Sequence, residues 1–166
     1  IESGYYWDFY KYCSGTYNSI EKYNSVKDYG LVDNKYYLEL DDDAAYKQWE
    51  KTCRMPTKNE FEELIENCNW TWTTLEGVNG YKITSQTNGN SIFLPAAGGF
   101  TFELSGRGNS GGYWLSSLCD GNGCMAYFLN FFVEDGLFDY FDSYIRCGGC
   151  SVRPVCTVGD EPELID

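Results

Sequence analysis

The stretch PTKNEFEELIENC, Pro56 to Cys68, limits what this chain can fold into more than any other. Thr57 and Glu60 stand three apart at its start, the spacing at which each side chain satisfies the other's free backbone N–H at a helix N-terminus. Phe61, Leu64, Ile65 and Cys68 then fall at i, i+3, i+4 and i+7, so one face of the helix is apolar and needs a core. Its glutamates form a solvated face. After Cys68 the helical period stops. WTWTT alternates, and GVNGYKITSQTNGNSIFLPAAGG carries turn signals at Asn79-Gly80 and Asn88-Gly89 with a buried run at Ile92-Phe93-Leu94. GGYWLSS, AYFLNFFV and SVRPV read as short strands joined by long loops. Upstream, LDDDAAYKQWEK (Leu40 to Lys51) predicts a first helix, with aspartates at its positive end and Ala44, Ala45 and Trp49 as a short apolar stripe. The three adjacent aspartates lack the alternation and turn glycine of a calcium loop. Two early helices followed by short antiparallel strands define an α+β domain.

The 166 residues amount to one domain, and 43% hydrophobic content is enough for a real core. The expected boundaries are 1–157 for the domain and 158–166 for a frayed acidic tail. Residues 1–40 read as irregular loop whose aromatics pin it to the core. A net charge of −13 repels phosphate backbones, so nucleic acid is not an expected partner. Histidine is absent, which removes the usual general base and the commonest metal ligand. No cofactor or metal is implied. No apolar run is long enough to span a bilayer, so direct membrane insertion is not expected. Ile1 does not read as a native start, and a mature or trimmed piece is expected. Eight cysteines, an even count, suit disulfides in an oxidising compartment, while reduced buried thiols are the alternative; the pairing is not legible.

The texture changes late in the chain. All eight lysines lie at or before Lys82. From Cys119 to Cys150 there are four Cys, five Phe, three Tyr and four Asp, with one Arg and no Lys, Gln or Pro. The flanking GGYWLSS and SVRPV are orderly by comparison. Framework and loop region look as though different rules produced them.

In order along the chain, CRMPTKNEFEELIENCNWTWTT, GVNGYKITSQTNGNSIFLPAAGG, GGYWLSS, AYFLNF and RCGGCSVRPV resemble the Fibrobacter major-paralogous domain family. YKYCSGTYNSIEKYN and DDDAAYKQW resemble its upstream segment. The resemblance covers nearly the whole chain, and the ordered series is what makes it specific. It implies a C-type-lectin-like fold, akin to that of formylglycine-generating enzymes, in surface proteins of gut Bacteroidetes. The family's further segment before the equivalent of Tyr5 has no counterpart here, so one edge of the fold is expected to be incomplete or replaced.

Part of that family serves as variable proteins of diversity-generating retroelements. There an error-prone reverse transcriptase randomises adenines near the end of the gene. The usual target, the Asn codon AAC, cannot become Lys, Glu, Gln, Met or Trp. Between Leu115 and Cys150 only Met125 and Glu134 fall outside the attainable set. Cys119, Asp120, Phe128, Phe132, Phe138, Asp139, Tyr140, Phe141, Asp142 and Cys147 fill Asn-type positions of the family pattern. Tyr113, Trp114, Ser116, Ser117, Ala126, Tyr127, Leu129, Arg146, Gly149, Ser151, Val152, Arg153 and Pro154 keep the family's types. The resemblance therefore implies a ligand-binding surface receptor or adhesin domain, not an enzyme, with residues of about 115–150 as a diversified binding face. Its expected ligand-binding residues are Leu115, Cys119, Asp120, Gly121, Asn122, Phe128, Asn130, Phe132, Asp135, Leu137, Phe138, Asp139, Tyr140, Phe141, Asp142, Tyr144, Cys147 and Cys150. The implied partner is a protein or glycan on a target cell or surface, and the implied location is extracellular, cell-surface or a phage virion.

Alternation in AYFLNFFV puts Ala126, Phe128, Asn130 and Phe132 on one strand face and Tyr127, Leu129 and Phe131 on the other. With the second set in the core, Phe128, Asn130 and Phe132 point outward, where exposed aromatics suit a binding surface. Asp120, Asp135, Asp139 and Asp142 would give a negative rim and favour a basic partner. Trp114 is expected in the core, and Arg153 as a buried or stacked structural residue. One alternative is a module of the same fold with fixed specificity for adhesion or structure. A more distant one is a copper-dependent oxidoreductase, because the spacing of Cys119 and Cys124 resembles the catalytic pair of formylglycine-generating enzymes, although their Arg-rich flank is missing. A zinc site of Cys119, Cys124, Cys147 and Cys150 has permissible spacing. A local disulfide stiffening the loop is the expected use of these thiols over either metal.

Overall fold

A computed structural model describes residues 6–49, 51–100, 103–133 and 142–157; the expected tail, 158–166, lies outside them. Irregular backbone with two short 3-10 turns, Trp7–Phe9 and Lys27–Tyr29, leads into α1 (Ala44–Gln48), β1 (Cys53–Arg54) and α2 (Lys58–Asn67). Then come β2 (Cys68–Leu75), β3 (Val78–Ser85), β4 (Ser91–Pro95), β5 (Gly99–Phe100), β6 (Leu104–Ser105), β7 (Ser110–Leu118), β8 (Met125–Phe132), β9 (Asp142–Ile145) and β10 (Val155–Cys156). The strands pair antiparallel as β2-β3-β4, β7-β8-β9, β5-β6 and β1-β10. The chain is α+β, with small antiparallel sheets and two helices. Among the described residues no helix is long and apolar enough to cross a membrane.

Helix α2 forms where its caps dictate. The Thr57 hydroxyl accepts from the Glu60 N–H, and the Glu60 carboxylate accepts from the Thr57 N–H at 2.8 Å and from the Arg54 guanidinium at 2.7 and 2.8 Å. Phe61 is buried, and Leu64, Ile65 and Cys68 pack beside it. Helix α1 is shorter than the expected Leu40–Lys51. Asp43 caps it by accepting from the N–H groups of Ala45 and Tyr46, and Trp49 is exposed rather than part of an apolar stripe.

The Asn88-Gly89 signal does mark the β3–β4 turn, but the β2–β3 turn falls at Glu76-Gly77, both at positive φ (50° and 82°). Asn79-Gly80 lies inside β3. Gly80 is there for close approach, since a Cβ would collide with the backbone of Leu94 and Pro95 and with the Phe93 ring. SVRPV is not a continuous strand. Ser151 makes a single bridge to Tyr113, and only Val155 joins Cys156 in β10.

The main core lies between α2, sheet β2-β3-β4 and the inner face of β7-β8-β9. Phe61, Tyr81, Ile83, Leu94, Tyr113, Leu115, Leu129 and Phe131 are buried there. Phe131 is its pivot, edge-on to Tyr81 at 5.2 Å and stacked on Tyr113 at 6.1 Å. Gly111 opposite it leaves room: a Cβ there would run into the Phe131 ring. GGYWLSS ends in two serines that dock α2. The Ser117 hydroxyl accepts from the Lys58 N–H at 3.0 Å, and the Ser116 N–H donates to Pro56 O at 2.8 Å.

Candidate functional site

Register fixes the two faces of β7-β8-β9. Tyr113 opposes Leu129 and Gly111 opposes Phe131 on the core side, so Trp114 with Phe128, Gly112 with Asn130 and Ser110 with Phe132 share the outer side. Strand β9 continues it, with Ala126 opposite Tyr144 and Phe128 opposite Asp142. The alternation expected for AYFLNFFV is therefore present.

The exposure expected of that outer face is present only in part. Phe132 is 46% exposed, Asn130 is half-buried and Phe128 is only 7% exposed. Phe128 is covered because the aromatics nearby pack on one another: it lies 5.3 Å from Tyr144 and 6.1 Å from Trp114, which is itself 6.0 Å from Tyr144. Cys150 adds to the cover, since a Cβ on Gly112 would stand 3.3 Å from its sulfur and 3.5 Å from Phe128. Farther along, Ala126 and Leu118 are buried under Tyr23, with Tyr12 and Leu38 alongside. The face is roofed at its Ala126 end by the N-terminal segment and opens toward Phe132. Trp114 is partly buried in that roof rather than in the main core.

Three further expectations need correction. Leu115 is a core residue, 2% exposed, because it stands two residues after Tyr113 on β7 and strand alternation puts both on the inner side. Cys147 is buried just beyond β9. Arg153 is exposed, and the buried guanidinium is that of Arg146. By contrast, Asp120 and Gly121 are exposed on the β7–β8 loop, with Cys119 and Asn122 half-buried beside them. Asp135, Leu137, Phe138, Asp139, Tyr140 and Phe141 lie outside the described residues, as does the side chain of Asp142.

Arg146 is the functional-looking residue that sequence reasoning placed only in the framework. Its Nε donates to the Tyr10 hydroxyl at 3.0 Å, and one Nη2 hydrogen does so at 2.8 Å. The remaining donors reach Lys22 O (3.0 Å), Tyr23 O (2.9 Å) and Gly123 O (2.7 Å). One side chain thus ties the N-terminal roof and the β7–β8 loop to the end of β9. The sequence marks the residue but not its partners: Arg146 is the lone cation between Leu115 and Cys150.

Beside it Asp42 collects the Tyr12 and Tyr23 hydroxyls and the ammonium groups of Lys11 and Lys22. Burial works to raise the Asp42 pKa, but the hydrogen bonds from Lys22, Tyr12, Tyr23 and Lys11 outweigh it and hold the carboxyl well below the usual range.

The cysteines are not used as expected. The disulfide joins Cys53 of β1 to Cys156 of β10, while Cys119, Cys124, Cys147 and Cys150 are free thiols. Register brings three of the four toward one end of the sheet: the Cys119 N–H donates to Met125 O, and the Arg146 N–H to Cys124 O. Cys150 sits apart over Gly112. Burial raises the pKa of Cys124 and Cys147 and pushes that of Cys150 up to about 12. Among the described residues no group of three or more Cys, Asp or Glu is arranged to hold a metal ion.

Comparison of the chain with family models, with curated proteins and with solved structures finds no match in any of the three.

Proposed function

We propose that the chain is the ligand-binding domain of a surface receptor or adhesin. It would be built on a C-type-lectin-like fold, with residues of about 115–150 as the diversified face of a retroelement variable protein. The observation that carries the reading is how residue type divides along this segment. Positions that keep the family's types support the frame: Tyr113, Ser116, Ser117, Leu129 and Arg146 are buried, and all but Leu129 hydrogen-bond other elements through their side chains or backbone N–H. Several positions of Asn type, or beside them, are solvent-facing, with Asp120 and Gly121 at the loop and Phe132 at the open end of the sheet. A fixed frame under a tolerant surface is what diversification without unfolding requires. The ligand would be a protein or glycan on a target cell or surface. The chain's negative charge and the exposed Asp120 favour a basic partner surface.

A fixed-specificity module of the same fold is the second reading, and the burial of Phe128 and Cys147 favours it, because random replacement there would disturb packing. The copper-dependent reading is weaker: Cys119 and Cys124 are half-buried thiols, and among the described residues no group of three or more Cys, Asp or Glu is arranged to hold a metal ion.

Sequencing the 3′ end of the gene across a population of its source separates the first two. Variation concentrated at codons for 115–150, and following template adenines, supports diversification. A segment as uniform as α2 sinks it.

A further inference from the structure

The roof does not lie flat on the sheet. Between the N-terminal segment, the start of α1 and β7 is a cavity of about 450 Å³, within the size range of small-molecule sites. Tyr12, Tyr23, Leu38, Met55, Trp114 and Leu118 give it mostly apolar and aromatic walls.

Its charges do not cancel. Lys11 pairs with Asp42 at 2.9 Å and Lys47 with Asp41 at 3.0 Å, and Asp42 takes Lys22 as well. Arg146, also in the lining, is 7% exposed, and among the described residues no carboxylate pairs with it. Its five N–H groups all end on neutral oxygens. In a chain of net charge −13, a guanidinium that no described carboxylate touches therefore stands at an apolar hollow whose own Asp42 is taken up by Lys11 and Lys22. Buried charges are normally paired.

A second observation points the same way. The Tyr10 hydroxyl accepts twice from Arg146 and lines the cavity, so its own proton is left to donate, and no described group accepts it. Burial raises the Tyr10 pKa more than the neighbouring Arg146 lowers it, so the phenol keeps that proton at neutral pH. Donation from a hydroxyl that is itself held by a guanidinium is strengthened toward an anionic acceptor.

We propose that this cavity is a constant binding site, separate from the Phe132 end of the sheet, for a small organic carboxylate carried on a flat apolar body. The carboxylate accepts from Tyr10 and lies in the field of Arg146, and the body packs among Tyr12, Tyr23 and Trp114.

The test is calorimetric titration of the full chain with benzoate, phenylacetate and indole-3-acetate, each alongside its neutral amide. At least one carboxylate saturates with a Kd of about 1 mM or tighter, and its amide binds about tenfold more weakly or not at all, as the loss of a charged hydrogen bond requires. Ala44→Phe fills the cavity from an exposed helix position and leaves Tyr10 and Arg146 in place, so it weakens binding about tenfold even if Tyr10→Phe does not fold. Lys82→Ala, exposed on β3, leaves binding unchanged. No saturation by any of the three acids, equal binding of the amides, or full binding by the Ala44→Phe variant overturns the proposal. None of these results bears on the gene-sequencing test of the diversified face.

Discussion

Replacing Arg146 by Met tests whether one side chain holds the N-terminal roof to the sheet. The substitution keeps an apolar stem and deletes five donors. Three backbone carbonyls, of Lys22, Tyr23 and Gly123, lose that partner, and an unsatisfied buried carbonyl costs about 1–3 kcal/mol. The cavity alongside lets water reach part of the site, and removing a buried cation returns some desolvation energy. Both offsets favour the lower end of the range, giving a net loss of about 3–4 kcal/mol. For a chain of this length that is a fall of about 10 °C in Tm. Arg146→Lys keeps the charge but has three donors and no planar fork, so it recovers less than half of the loss. Urea unfolding measures the total, and amide exchange locates it. Protection at Tyr23 and Asn24, whose N–H groups donate to Asp33 at 2.8 and 2.9 Å, falls first, while β3 and β4 keep theirs. A loss under about 1 kcal/mol for Arg146→Met refutes the reasoning. Full rescue by Lys shows that charge rather than the fork does the tethering.

The Cys53–Cys156 disulfide closes a separation of 103 residues, so the double substitution to Ser lowers stability by about 4–5 kcal/mol on chain entropy, read as a Tm fall of about 10–15 °C. Phe128→Ala and Phe132→Ala separate packing from surface on one strand face. The first, buried against Trp114 and Tyr144, costs about 3 kcal/mol or more, and the second stays within about 0.5–1 kcal/mol in urea unfolding. Acid titration reports on Asp42. Its folded pKa is depressed, so its contribution is complete above the unfolded carboxylate range and fades as pH falls below about 4. Asp42→Asn therefore lowers stability at pH 7 and narrows its gap from the parent protein toward pH 2, and a gap independent of pH contradicts the assignment.

How much of this was legible follows from the range of each interaction. Helix α2 was, because a capping box and an i, i+3, i+4 face lie within a dozen residues. The alternation of β8 was, for the same reason. The Asn79-Gly80 turn was misplaced because a glycine needed for strand contact carries the same signal as one needed for a turn. The roof over Ala126, the disulfide and the Arg146 hub were not legible. Each depends on residues from distant parts of the chain converging, and nothing local to Cys53 or to Arg146 says which carbonyl or thiol will arrive. Phe128 fell between the two cases. Its face was right and its burial wrong, because what covers it comes from Trp114, Tyr144 and Cys150 on other elements.

That cover bears on the proposed function. Under diversification, position 128 would often receive a side chain smaller than Phe. The space over Gly112 would then open, and Trp114 would lose one of the two described rings packed on it. On the proposed reading, a variable residue at 128 would act as a shutter on Trp114. With Phe the aromatic area is folded into the sheet, and with Ser or Gly it would be open to a ligand. The aromatic contribution to binding would then come from the frame, and the variable positions would decide how much of it is shown. Phe132→Ala should weaken a ligand raised against this sequence, whereas Phe128→Ser should change which ligands bind by uncovering Trp114, with increased quenching of tryptophan fluorescence by iodide as the signature. Quenching unchanged from the parent protein would show that the neighbours close over the gap, and the shutter argument fails.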